Sequence, residues 1–274
     1  MASADAFNAF EAAAWETKPV AYGDFFGEIT PRVVEPLLDA AGVGPGVRML
    51  DVASGPGYAA GQAASRGASV VGVDIAEAMV SAARERYPQI EFRHGDAEAL
   101  AFPDGSFDAV VGNFVLHHLG HPEQAAGEFA RVLAPGGRLA LTAWDLPTRA
   151  RFLGVLLDAV AEAGASPPSD IPAGPPFFRF SEDEELVRLL RGPGLGDVGT
   201  TRISFTHVAP SGDELWNGLL AGTVRTAPIV LGQTDEVQLR IRAAFERLVK
   251  PYEAGGHLEL PVSVNLASAR RRES

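Results

Sequence analysis

The chain has 274 residues and carries 23 Lys+Arg against 35 Asp+Glu, a formal net charge of −12. That balance speaks against a nucleic-acid partner, which needs a basic footprint, and against adhesion to an acidic membrane surface. With no cysteine, disulfides, thiolate metal sites and cysteine nucleophiles are excluded.

No apolar run is long enough to span a bilayer. The first basic residue is Lys18, so the charged start of a signal peptide is missing and a cytoplasmic protein is expected. In chain order, residues 1–46 are expected to be helical. Thr30-Pro31 has the form of an N-cap followed by Pro at the first helical position. Val33, Val34, Leu37, Leu38 and Ala41 then share one helix face, which Gly42 and Gly44 end.

From residue 47 to residue 145 the pattern becomes strand, helix, strand. Strands are expected at 47–52, 69–74, 90–93, 107–113 and 138–144, with helices at 58–66, 76–87 and 122–133. Such alternation makes a parallel sheet covered on both faces.

The segment 166–176 holds five prolines in eleven residues and reads as a loop or hinge. Phe152, Leu153, Leu156, Leu157 and Val160 predict a helix before it. Ser181 with Glu184, and Ser211 with Glu214, have the spacing of capping boxes for two later helices. A strand is expected at 203–208 and another helix around Val237, Ile241, Phe245 and Leu248. Leu258, Leu260, Val262, Val264 and Leu266 alternate strictly, as a strand does. Pro261 within it suggests an edge position or a strand start.

The chemistry is carried by Leu50-Asp51-Val52-Ala53-Ser54-Gly55-Pro56-Gly57-Tyr58. A buried strand ends at Asp51, and a glycine turn leads into a helix. Glycines let the backbone approach a ligand, and a helix N-terminus offers free N–H groups. A second strand ends in Asp74, 19 residues after Gly55, the spacing at which a carboxylate meets a ribose. Gly55-Pro56-Gly57-Tyr58-Ala59-Ala60 also fits the dinucleotide pattern G-x-G-x-x-A. However, Asp51 stands at the mouth of the turn, where it would repel a pyrophosphate. Asp51 and Asp74 together favour a ligand with a cationic group, a ribose and no phosphate, which describes S-adenosylmethionine.

The segments Leu50 to Gly57, Gly72 to Met79, Gly95 to Phe102, Gly105 to Val110, Asn113 to Leu119 and Arg131 to Leu139 occur in the order seen in class I S-adenosylmethionine-dependent methyltransferases. They resemble the small-molecule branch that includes the ubiquinone and menaquinone biosynthesis enzymes. Ser54 stands where many of those relatives carry Cys. The resemblance implies an α/β fold: a Rossmann-like, seven-stranded, mostly parallel sheet with an antiparallel last strand, under a helical cap.

The resemblance also implies roles. Asp51 and the Ala53 carbonyl would meet the cofactor's ammonium, with Gly55 and Gly57 under its backbone. Asp74 would hold the ribose. Ile75 and Met79 would pack on the adenine, with Asp96 and Ala97 at its polar edge. Asn113 and Phe114 would border the methionine end, and Tyr22 belongs to a segment folding over the cofactor. His118 is the candidate general base, and a histidine that only shapes the pocket is the competing reading. Adjacent helical residues do not share a face, so of His117 and His118 only one is expected to face the cleft. His207 could face it from the sixth strand.

The expected organisation is a lid (1–46), a cofactor-binding core (47–145), a cap segment with the proline-rich loop (146–176), the last core helix and sixth strand (177–210), a helical insertion (211–254) and the last strand with its tail (255–274). Trp15, Phe25, Phe26, Trp144, Phe152, Phe177, Phe178 and Trp216 are available to line a pocket for a hydrophobic small-molecule acceptor. No metal is expected. The oligomeric state stays open, as do two other activities: a protein of this fold that transfers no methyl, such as a cyclisation scaffold, and an NAD-dependent oxidoreductase.

Overall fold

The computed structural model describes residues 2–169 and 171–273. Its helices are α1 (Ala2–Trp15), α2 (Pro19–Phe25), α3 (Val34–Ala40), α4 (Tyr58–Ser65), α5 (Glu77–Arg86), α6 (Pro122–Val132), α7 (Arg151–Glu162), α8 (Asp183–Arg191), α9 (Gly212–Gly222), α10 (Ala227–Leu231) and α11 (Asp235–Val249). Its strands are β1 (Arg48–Val52), β2 (Ser69–Asp74), β3 (Glu91–His94), β4 (Phe107–Gly112), β5 (Leu133–Trp144), β6 (Gly196–Ala209), β7 (Glu253–Ala254) and β8 (His257–Arg270).

The strands form one sheet in the order β3-β2-β1-β4-β5-β8-β6, with the two-residue β7 attached to β8. Neighbours from β3 through to β5 are parallel, and β8 runs antiparallel to both β5 and β6. The expected fold class therefore stands, with β7 as an addition. Chain order reverses between β1 and β4. That switch point opens a crevice at the carboxyl ends of the strands, where open α/β sheets bind ligands.

The two faces of the sheet bury separate apolar layers. Leu50, Val52 and Val110 pack with Phe129 of α6 and Leu186 and Leu190 of α8. Met49, Ala109 and Val111 pack with Leu37 and Leu38 of α3 and Val80 of α5. Residues 49 and 50 point to opposite sides, as the pleat requires. A third cluster joins Phe26, Phe152, Leu215, Leu219, Ile241 and Phe245 to Leu258, Leu260 and Val262. This is the core of the cap. It rests on the part of β8 that extends beyond β5, whose pairing ends at Trp144 and Val264.

Several local expectations are corrected. Strand β6 begins at residue 196, well before the expected 203, because its first half alternates with solvent on one face and carries polar residues such as Thr200 and Arg202. Strand β8 is central, yet at Pro261 it pairs only with Thr206 of β6. The proline thus sits where one side of the strand is free, which is what its missing N–H requires. Ser211 does cap α9 by accepting the Glu214 N–H. Ser181 does not cap α8: Glu182 takes the N-cap position, and the Ser181 hydroxyl donates to the Phe178 carbonyl. Thr30 likewise starts only a 3-10 turn, and its hydroxyl donates to the Phe26 carbonyl. The proline-rich stretch is loop where described, and Asp170 lies outside the described residues. No helix among the described residues is long and apolar enough to cross a membrane.

Candidate active site

A cavity of about 1120 Å³, partly open to solvent, lies at the carboxyl ends of β1 to β4. The strands place its wall directly. Ala53 and Gly55 follow β1, Asp74 and Ile75 end β2, Asp96 and Ala97 follow β3, and Asn113 and Phe114 follow β4. Met79 reaches it from α5, Tyr22 from α2, and His118 from the 3-10 turn Leu116–His118. Of the thirteen residues singled out from the sequence, eleven line this one cavity, while Asp51 and Gly57 do not.

Two of the three non-glycine residues with positive φ among the described residues stand at the switch point, and the third is Asp197 of β6. Ala53 (φ 52°) and Phe114 (φ 63°) are non-glycine residues in the left-handed region. Both stand on the cavity wall at the ends of neighbouring strands. Such residues persist only where surrounding structure holds them, and they concentrate at functional sites. The Phe114 turn is held by its N–H donating to Thr142 Oγ1 at 2.9 Å, and that hydroxyl donates in turn to Asn113 Oδ1 at 2.7 Å. The Phe114 ring stacks on Trp144 with centroids 3.8 Å apart.

The two turn glycines differ. At Gly55 (φ +51°) an added Cβ would meet nothing within 4 Å, so its missing side chain leaves cavity space. At Gly57 (φ +84°) an added Cβ would lie 2.9 Å from the Phe92 ring and 3.1 Å from Tyr87. Gly57 is therefore demanded by aromatic packing beneath α4.

Asp51 and Asp74 are buried, Asp96 is half-buried, and none of the three forms a salt bridge among the described residues. Asp74 accepts the Gly55 N–H at 2.8 Å and the Ala76 N–H at 3.0 Å. Burial raises its pKa, against the pull of those two N–H groups and of His118. Asp51 accepts the Ala60 N–H at 3.0 Å. Burial, with Asp74 adding to it, pushes Asp51 up to about 7. Asp96 is also raised by burial, although it accepts the Glu98 N–H. A wall of this kind disfavours a phosphate and favours a cationic ligand. Burial holds the Tyr22 phenol at about 12.

A sequence model of a family described as a methyltransferase domain matches residues 50–141. A demethylmenaquinone methyltransferase from Renibacterium salmoninarum is 39% identical over 179 residues, which span 63% of this chain and 74% of that protein. The chain belongs to the S-adenosylmethionine-dependent methyltransferases. Solved structures agree on the fold. YcgJ from Bacillus subtilis superposes with a TM-score of 0.57 at 21% identity, covering 89% of this chain and 99% of that one. A phosphoethanolamine N-methyltransferase from Haemonchus contortus, solved with S-adenosyl-L-methionine, superposes at 0.57 and 19% identity, covering 94% of this chain and 57% of that one. The residues present fit the cofactor: the open space at Gly55 and the anionic wall suit a ligand with a cation and a ribose.

Other parts of the methyltransferase site were not foreseen. His117 and His118 both line the cavity, with ring centroids 4.1 Å apart, contrary to the expectation that only one would. The segment is a single 3-10 turn set into the cavity wall, and its neighbours Val115 and Leu119 line the cavity too. Burial lowers the His117 pKa well below its ordinary value. His207 is not on the wall and packs against Phe25 and Phe152. Of the expected aromatic lining, Trp15, Phe26, Trp144 and Phe177 are in place, whereas Phe25, Phe152, Phe178 and Trp216 pack in the cap.

Helix α1 also contributes Asn8 and Glu11 to the wall. Asn8 accepts from the Gly120 N–H and donates to Glu98. Glu16 follows α1 and accepts the N–H groups of Glu77 and Ala78, the first two residues of α5. An anion at a helix start is favourable, and this one fastens the N-terminal segment to the start of α5. Nothing in the sequence marks Glu11 or Glu16, since their partners lie far along the chain.

Proposed function

We propose that this methyltransferase acts on a hydrophobic small molecule held between the strand ends and the helical cap. The observation that carries this reading is the continuity of the cavity. Its wall carries Asp74 and Asp96 together with the aromatic rings of Tyr22, Phe26, Phe114, Trp144 and Phe177. Ligand sites are typically apolar clefts with a few placed polar groups. The relative from R. salmoninarum is named for demethylmenaquinone, an acceptor in keeping with such a wall. The net charge of −12 supports a small-molecule acceptor over a nucleic acid, and a cytoplasmic location fits the same reading.

Bound S-adenosylmethionine would supply a methyl group on a sulfonium, already activated by its charge. The Ala53 carbonyl would face its ammonium, with the Asp51 carboxyl buried behind the wall as its counter-charge, Gly55 would lie beneath it, and Asp74 would hold the ribose. Ile75, Met79, Asp96 and Ala97 would surround the adenine. Asn113, Phe114 and Tyr22 would enclose the reacting end. Residues 1–46 and the helices of 146–176 and 211–254 would serve as lid and cap, excluding water and aligning the acceptor. His118 would take the acceptor's proton where the acceptor must lose one. Transfer of a labelled methyl group to a panel of hydroxylated quinones, phenols and amines tests this reading. Label appearing in an organic-extractable product supports it. Cofactor binding with no product across the panel favours a non-methylating role.

A further inference from the structure

The cavity wall also holds Glu11 of α1, to which the reading above gives no part. Glu11 is 2% exposed. Its Oε2 accepts from Trp15 Nε1 at 3.1 Å and lies 2.8 Å from His118 Nδ1. Its Oε1 is buried without a hydrogen-bond partner among the described residues. A buried acceptor without a donor is costly to keep and asks for an explanation. A carboxylate oxygen at this distance can accept from Nδ1, an arrangement that would set the His118 proton there and leave the lone pair on Nε2. No protein group among the described residues bonds that Nε2. The His118 ring is also held in place: Trp15 meets it edge-on at 5.1 Å and His117 lies at 4.1 Å.

The charged groups around this pair are few. Asp74 faces it from β2, Glu11 from α1, His117 from the same turn, and Arg225 from the segment between α9 and α10. Arg225 is held by the carbonyls of His117 and Pro175, at 2.7 and 2.8 Å, with its cation over Phe177.

We propose that Glu11 is the positioning residue of a proton-accepting pair with His118, and that the pair receives the acidic hydroxyl of an aromatic acceptor of the phenol or enol class. The acceptor's O–H bond breaks, its proton bonds to His118 Nε2, and the electron pair stays on the acceptor as an oxyanion. The imidazolium charge is balanced by Glu11. A base in this place suits a hydroxylated aromatic, whose attack is strengthened by ionisation; a neutral amine attacks through a lone pair it already has. The inference rests on the methyltransferase reading above and names its acceptor.

Histidine nitrogen NMR tests the pair directly. The His118 signal is identified by its loss in His118→Gln. Wild-type protein is expected to show the proton on Nδ1. Glu11→Leu is expected to return the ring to the Nε2–H form that free imidazole side chains prefer. The second readout uses para-nitrophenol, whose phenolate absorbs in the visible, bound in the presence of excess S-adenosylhomocysteine. Wild-type protein should bind it as phenolate. The isosteric Glu11→Gln should weaken its ionisation about tenfold, because the imidazolium loses its counter-charge. Wild-type His118 with its proton on Nε2 would overturn the proposal, as would equal ionisation in wild type and Glu11→Gln. Thermal stabilisation by S-adenosylhomocysteine, measured alongside, reports on the cofactor separately. Its absence would contradict the methyltransferase reading without touching the tautomer result.

Discussion

The Asp74 carboxyl accepts the Gly55 amide at 2.8 Å, across a sequence separation of 19 residues. This bond ties the end of β2 to the turn after β1, so the carboxylate shapes the glycine turn as well as facing the cavity. Asp74→Asn keeps one carbonyl acceptor and removes the charge. It is expected to lower S-adenosylhomocysteine affinity by at least about tenfold while costing about 1 kcal/mol of stability. Asp74→Ala should lose the same affinity and, with two amides left unpaired, destabilise further. Calorimetric titration beside denaturant unfolding separates the two effects. Unchanged affinity in both variants would remove Asp74 from the cofactor site.

The turn glycines should divide in the same way. Gly55→Ala places a methyl into open cavity space at φ +51°. It should cost about 1 kcal/mol through the left-handed backbone and impair cofactor binding. Gly57→Ala drives a methyl into the Phe92 ring at φ +84°. It should destabilise by about 2–4 kcal/mol through strain and overpacking. Urea unfolding and ligand titration on both proteins check the contrast.

Cofactor binding should depend on pH. Burial moves Asp51 from 3.8 up to about 7, so the folded protein holds this proton more tightly than the unfolded chain does. The stabilisation from that proton is complete below the unfolded value and is lost as pH rises through about 7. The ligand-free protein should therefore weaken between pH 4 and 7 on this account. A cationic ligand group favours the ionised carboxyl. Affinity for S-adenosylhomocysteine should rise by up to tenfold per pH unit toward pH 7 and flatten above it. Titrations at half-unit pH intervals would show the slope, and a flat profile would exclude coupling to Asp51.

Ser54 is buried and its hydroxyl has no hydrogen-bond partner among the described residues. Its N–H and carbonyl still serve the turn, bonding to Val73 and Gly57. Ser54→Ala should be neutral or stabilise by about 1 kcal/mol, since it removes only an unsatisfied group. A thermal melt suffices to check it. A loss above about 1 kcal/mol would mean that the hydroxyl has a partner in solution.

The sheet and most of its ligand crevice were legible because they depend on local pattern. Apolar strands bounded by glycine turns set β1, β2 and β4, and their ends must meet at the switch point. Strand β6 was half hidden because one of its faces is wet and its polar residues broke the alternation. The caps at Ser181 and Thr30 failed because hydroxyls three or four residues from a free carbonyl bonded backwards. Glu11 was invisible for a different reason: it lies 107 residues from His118, and no spacing rule links them. At Gly57 packing against Phe92 makes the same demand for glycine that a close-lying cofactor would.

Thermal unfolding with S-adenosylmethionine, S-adenosylhomocysteine and NADH, each in excess, tests the central claim most directly. A ligand at 100 times its dissociation constant stabilises by about 2.7 kcal/mol, which for a chain of this size raises the melting temperature by about 5 °C or more. The account predicts that shift with the two adenosyl-sulfur ligands and none with NADH. A shift with NADH alone would contradict it.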